Sequence, residues 1–189
     1  MRLLLASKSP RRRELMARLG FNVEIVSVDV DEHLTAPMPP AEVAEHLARR
    51  KAEAYSSPLL PGDVLVTADT VVVHRDRVMG KPADRAEAVA MLRDLSDDSH
   101  TVYTGVCLRS NEQTVSFTES TTVTFNELTE DIIAHYVDTY KPYDKAGAYG
   151  IQEWIGMVGI GSINGCYYNV MGLPVARLYE MLRNRFLSN

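Results

Sequence analysis

Ser7-Lys8-Ser9-Pro10-Arg11-Arg12-Arg13 has the residue types of a phosphate site. A helix that starts at Pro10 points unpaired backbone N–H groups and a partial positive charge at an anion. Arginines add planar donor forks that match phosphate oxygens. Arginine at a helix N-terminus opposes the dipole, so three in a row call for an anionic partner. Ser7, Arg11 and Arg12 are the phosphate candidates here. Asp69 lies in Ala68-Asp69-Thr70, inside a run of valines. A carboxylate there is costly unless it is paired or bound to a metal, which makes it a candidate metal ligand or general base. The plainer reading is an Asp capping a turn. Gly80-Lys81-Pro82 offers close backbone approach and a point charge, although Lys81 alone reads as a solvated turn lysine. Lys51 follows Arg49-Arg50 and, alone, reads as part of a wet helix face. Asp144 to Gln152 carries Gly147, Tyr149 and Gly150 and suits packing against a flat ligand. Asp31-Glu32 could supply metal ligands, or simply be a solvated acidic pair. The five histidines show no zinc-ligand spacing, and no nucleophile elbow or Walker loop is present.

These residues need elements to hold them. Leu3 to Ala6 reads as a buried strand, and Ser9 and Pro10 read as the N-cap and first position of a helix that Gly20 ends. A strand is expected over Phe21 to Val28, an acidic and proline-rich loop over Asp29 to Pro40, and a helix over Ala41 to Tyr55. Asp63 to Val73 reads as a central strand interrupted by polar residues, with a hairpin turn at Arg75-Asp76-Arg77. Asp84 and Glu87 form a capping box for a helix from Arg85 to Leu95. His100 to Leu108 and Thr114 to Phe125 are expected strands, and Thr129 caps a helix bearing Ile132, Ile133, Tyr136 and Val137. Tyr140 to Trp154 is expected as loop, and Met157 to Ile160 and Cys166 to Val170 as strands around an Asn164-Gly165 turn. Pro174 opens a last helix. The order predicts a single α/β domain of 189 residues: a mixed sheet with helices on both sides and a cleft.

Taken in order, the segments resemble the Maf family of nucleotide pyrophosphatases. The matching pieces are Ser7 to Leu15, Asp31-Glu32, Ala48-Arg49-Arg50-Lys51-Ala52, Ala68-Asp69-Thr70-Val71-Val72, Gly80-Lys81-Pro82, His100 to Val106, Asp144 to Gln152 and Val170-Met171-Gly172-Leu173-Pro174. Each is weak alone, and the ordered set, spanning almost the whole chain, is specific. The resemblance implies a mixed twisted sheet with two lobes around a deep nucleotide-binding cleft, and hydrolysis of dTTP and UTP to the nucleoside monophosphate and pyrophosphate, aided by Mg²⁺ or Mn²⁺. It implies Asp69 as catalytic base and Arg12, Thr70 and Gln152 as specificity positions. Arg11, Arg12, Lys51 and Lys81 are the phosphate candidates, and Asp69 with Glu32 the metal candidates. Whether Asp69 holds the metal or deprotonates the water stays open at this stage. So do two alternatives: the related 7-methyl-GTP branch, whose loop at Asp144 to Gln152 differs, and a non-catalytic nucleotide-binding regulator of septum formation.

Composition narrows the partners. A formal net charge of −5 argues against a nucleic-acid polymer, while leaving room for a small polyanion in a locally basic pocket. Cys107 and Cys166 are far apart without metal-site neighbours, which fits a reducing, cytoplasmic setting and not a disulfide framework. No apolar run reaches the roughly 20 residues of a membrane span. The apolar start at Leu3 is too short for a signal peptide and meets Lys8 and Arg11 at once. A homodimer is left open.

Overall fold

In the computed structural model, which describes residues 2–31, 33–34 and 36–187, β1 (Arg2–Ala6) is buried from Leu3 to Ala6. A short apolar run buried on both faces belongs inside a parallel sheet. β1 pairs in parallel with β2 (Val23–Val26) on one side and with β3 (Asp63–His74) on the other. Arg2 pins the start of this register: its Nε and Nη2 donate to the Asp63 carboxylate at 3.0 and 2.7 Å. That guanidinium holds the Asp63 carboxyl below its ordinary range. β3 runs unbroken for 12 residues through Thr67-Ala68-Asp69-Thr70, the central strand with polar residues inside it that was expected. The ladder is made by the backbone, and a polar side chain does not break it when a partner takes up its charge.

Between these strands come α1 (Pro10–Ala17) and α2 (Pro40–Ala54). Next follow β4 (Arg77–Met79), α3 (Arg85–Leu95), β5 (Ser99–Arg109), β6 (Thr114–Phe125), α4 (Glu130–Tyr140), a 3₁₀ turn at Ala146–Ala148, α5 (Trp154–Gly159), β7 (Ile160–Asn164), α6 (Tyr167–Met171) and α7 (Val175–Phe186). Among the described residues the strands form one seven-stranded sheet in the order β2-β1-β3-β5-β6-β7, with β4 paired antiparallel to β3. The fold is therefore the expected mixed α/β sheet with helices.

The chain divides into two compact units. The first comprises Met1–Asp69, Thr104–Glu119 and Gly172–Asn189; the second comprises Thr70–Tyr103 and Ser120–Met171. In the first, Leu4, Ala6, Ala48, Ala52, Leu59, Leu65 and Cys107 form a core cluster. In the second, Leu92, Phe125, Ile133, Tyr136, Ala148 and Ile155 are among the residues of a larger one.

One stretch departs from expectation. Met157 to Ile160 and Cys166 to Val170 are not strands: α5 and α6 cover most of them, and β7 occupies Ile160–Asn164 between. Ile155 and Gly159 are buried four residues apart, one helical turn, and Gly159 abuts Leu128 and Phe125. In α6 the buried Asn169 amide donates to the Val102 carbonyl at 3.0 Å and to Thr121 Oγ1 at 2.9 Å. A buried amide needs its partners, and that pull outweighs the strand propensity of Cys-Tyr-Tyr.

Candidate functional site

The first unit builds a basic turn at the carboxyl end of β1. Ser7 is nearly buried, and its Oγ accepts from the Ser9 N–H at 3.2 Å. Ser9 caps α1 as expected, accepting from the Arg12 N–H at 3.4 Å, and Pro10 fills the first helical position. The arginines do not simply splay into water. Arg13 Nε donates to the Ser7 carbonyl at 3.1 Å. Arg12 reaches further: Nε donates to the Gly172 carbonyl at 2.7 Å and Nη1 to the Ala68 carbonyl at 2.9 Å. Arg12 thus braces the strand residue that precedes Asp69, and Gly172 (φ 112°) turns its carbonyl to meet it. Arg11 is half-buried one residue earlier in α1.

Lys51 comes to the same place from α2. Its Nζ donates to Asp69 Oδ1, and each side chain is only 13% exposed. The wet-face reading of Lys51 is therefore corrected. Successive helical residues point about 100° apart, and Arg49, Arg50 and Lys51 go to the Ser116 hydroxyl, the His33 carbonyl and Asp69 respectively. The helix can lie this close because of Gly105 in β5. A Cβ there would fall 2.2 Å from Glu45 N and 2.3 Å from Ala44 C. Thr67 Oγ1, two residues before Asp69, donates to the Ala48 carbonyl at 2.6 Å and ties β3 to α2 directly.

Asp69 is a hard oxygen donor. Among the described residues no three His, Cys, Asp or Glu side chains gather to hold a metal. A lone carboxylate still suits Mg²⁺ or Mn²⁺, since such ions complete their shells with substrate phosphate oxygens and water. Glu32, the other metal candidate, lies outside the described residues.

The second unit holds the remaining candidates. Thr70 follows Asp69 in β3 and is half-buried, Lys81 is exposed after β4, and Gln152 is exposed before α5. The structure joins two of the sequence segments there: the Gly147 N–H donates to the Gly80 carbonyl at 3.1 Å. Gly147 has φ 70°, and a Cβ on it would press on Val72 at 3.1 Å, so the Asp144–Gln152 loop needs glycine to lie against β3. Three residues of this region escaped the sequence reading as a group: Lys145, Glu153 and Tyr136. Lys145 Nζ pairs with Asp144 at 2.7 Å and Glu153 at 3.1 Å, and Glu153 also accepts from the Tyr136 hydroxyl. Nothing in their spacing points to this. Tyr136 reads as one more member of an apolar helix stripe, which it also is.

The class that fold and site define is a mixed α/β protein with polar groups gathered at the carboxyl end of a central parallel strand, where open α/β sheets bind small ligands. Residues 2–185 match the family model described as Maf-like protein, and the chain belongs to that family. A dTTP/UTP pyrophosphatase of Bacteroides thetaiotaomicron is 51% identical over 182 residues, 96% of this chain and 94% of that protein. Another, of Parabacteroides distasonis, is 49% identical over 97% of this chain and 95% of its own. One from Flavobacterium psychrophilum is 42% identical over 97% and 94%. Among solved structures, that of the Staphylococcus aureus Ham1 protein is a distant, partial match: TM-score 0.48 and 12% identity over 66% of this chain and 72% of the other.

Proposed function

We propose that this protein hydrolyses dTTP and UTP between the α- and β-phosphates, releasing the nucleoside monophosphate and pyrophosphate. The observation that carries the reading is the nearly buried Asp69–Lys51 pair, with Ala68 braced by Arg12, in a chain about half identical to relatives named for that reaction. Asp69 takes the proton of the attacking water, a role worth about 10²–10⁴-fold in rate. Ser7, Arg11, Arg12, Lys51 and Lys81 bind the triphosphate, and their charges favour the transition state as charge builds on the phosphate oxygens. Mg²⁺ or Mn²⁺, held by Asp69 with Glu32 as second ligand, would supply further neutralisation of the triphosphate. Gln152 and Thr70 read the base. A glutamine amide offers one acceptor and one donor, which match the N3–H and O4 of uracil and thymine together. Cytosine reverses that pattern. We place the reaction in the cytoplasm, where Cys107 and Cys166 remain free thiols.

The test is a nucleotide panel assayed for pyrophosphate release, with Mg²⁺, with Mn²⁺ and with chelator. The expected result is turnover of dTTP and UTP over CTP and the purine triphosphates, lost with chelator. Preference for 7-methyl-GTP would assign the chain to the other branch. Tight nucleotide binding without turnover would support the regulator.

A further inference from the structure

Tyr136 is fully buried on α4, packed among Ile133, Val137 and Ile155 in the core of the second unit. A buried phenol requires hydrogen-bond partners, and both of its partners belong to one short turn. The Gly150 N–H donates to the Tyr136 hydroxyl at 3.0 Å, and that hydroxyl donates to the Glu153 carboxylate. Gly150 and Glu153 are the two ends of a four-residue turn closed by the Glu153 N–H to the Gly150 carbonyl at 3.0 Å. Its two middle residues are Ile151, buried in the same core, and Gln152, exposed. We propose that Tyr136 is a positioning residue for base selection: one hydroxyl ties both ends of the turn and so fixes where the Gln152 amide points.

The proposal rests on the reading of Gln152 as the base-contacting residue. The Gln152 amide lies against Gly150. A Cβ on Gly150 would lie 2.9 Å from Gln152 Nε2, 3.0 Å from Glu153 Cδ and 3.1 Å from Lys145 Cε, so three side chains converge over a residue that has none. Lys145 in turn holds the other Glu153 oxygen at 3.1 Å and leaves one oxygen for Tyr136. Burial and the Glu153 carboxylate push the Tyr136 phenol above its ordinary range, so the hydroxyl remains a donor at every working pH. A glutamine amide free to rotate pairs with uracil in one orientation and with cytosine in the other. Selection therefore depends on the amide meeting the base in one fixed geometry, and the clamp, by tying both ends of the turn, fixes the point from which that side chain reaches.

Tyr136→Phe removes a single oxygen and both ties. The measured quantity is kcat/KM for UTP divided by kcat/KM for CTP, with the melting temperature alongside. A merely structural loss lowers the folded fraction, which scales both nucleotides equally and leaves the ratio unchanged. The clamp predicts a ratio lower by about tenfold, the size of one misplaced buried hydrogen bond. Glu153→Ala should act the same way. Glu153→Gln still accepts from Tyr136 and should keep the ratio within about threefold. Wild-type ratios in both Tyr136→Phe and Glu153→Ala overturn the proposal, whatever happens to stability. If Tyr136→Phe does not fold, the comparison of Glu153→Ala with Glu153→Gln decides, and equal ratios in those two overturn it. A wild type that turns over UTP and CTP equally overturns the base reading by Gln152 and the clamp with it, whereas selectivity kept in the variants removes the clamp alone.

Discussion

Gly105→Ala adds one methyl group at a residue with no chemistry of its own, and it should be among the most damaging single-atom changes in the chain. The added Cβ would sit 2.2 Å from Glu45 N and 2.3 Å from Glu45 Cα and Ala44 C, all main-chain atoms of α2. Ordinary contact between such atoms begins near 3.5 Å, so α2 and β5 must separate by roughly 1 Å. No side-chain rotation can relieve a backbone clash. Overpacking of this kind costs about 1–3 kcal/mol, which for a chain of this length lowers Tm by about 2–12 °C. The displacement passes down α2 to Ala48, whose carbonyl accepts from Thr67 at 2.6 Å, and to Lys51 at Asp69. A misplacement of about 1 Å in a reacting constellation can lower kcat/KM about 100-fold. Thermal unfolding followed by circular dichroism gives the first quantity and pyrophosphate release from dTTP the second. If the activity loss runs through Lys51, Gly105→Ala placed on Lys51→Ala should cost little more than Lys51→Ala alone, because the two changes share one route. Wild-type Tm and kcat/KM in Gly105→Ala would refute the reasoning, and full additivity with Lys51→Ala would refute the route.

Asp69→Asn should lose about 10²–10⁴-fold in kcat while keeping its far-UV spectrum; a variant that melts far lower yet keeps its specific activity would make Asp69 structural. Arg12→Ala should weaken both triphosphate use and stability, because two backbone carbonyls lose a charged donor at about 1.5–3 kcal/mol each, and Arg12→Lys should restore only part, since an ammonium cannot span Gly172 and Ala68. Equal kinetics and Tm for Arg12→Ala and wild type would remove Arg12 from the site. Gln152→Ala should narrow the gap between UTP and CTP in kcat/KM, and an equal loss on every nucleotide would show that Gln152 does not read the base. Burial holds the His100 imidazole down to about 4, so it is neutral in the fold. The unfolded chain takes up that proton first, near pH 6.5, so stability is full above pH 6.5 and falls by about 3 kcal/mol as pH drops towards 4; His100→Gln should flatten that part of a Tm-versus-pH curve.

What could be read in the sequence was mostly local. Ser9, Asp84 and Thr129 are helix caps because a short oxygen-bearing side chain one residue before a helix satisfies a free N–H, a fact about a few residues only. Arg75 and Asp76 turn β3 into β4 with φ of 47° and 61°, the hairpin geometry that tight spacing demands. Non-local pairs were less legible. Lys51 could be nominated through the resemblance, but only the packing of α2 on Gly105 distinguishes it from Arg49 and Arg50. In residues 157–170 the local signal pointed the wrong way, because a partner 67 residues distant in sequence, the Val102 carbonyl, decides how Asn169 coils. The Tyr136–Glu153–Lys145 group was invisible for the same reason: each member has an ordinary local role.

The bonds that position Asp69 also differ in kind from those that would contact a substrate. The Ala68 and Gly172 carbonyls that receive Arg12, and the Ala48 carbonyl that receives Thr67, are main-chain acceptors. They carry no titratable charge, and their donors are a guanidinium that stays protonated at any working pH and a neutral hydroxyl. An arriving polyanion, itself an acceptor, can draw on Lys51 without disturbing the Thr67–Ala48 bond that ties β3 to α2. Lys51 Nζ donates to Asp69 and carries the charge that a phosphate can share, while the strand stays fixed. Fixed support of this kind suits electrostatic catalysis, because a dipole or charge that must reorganise during the reaction forfeits much of its effect.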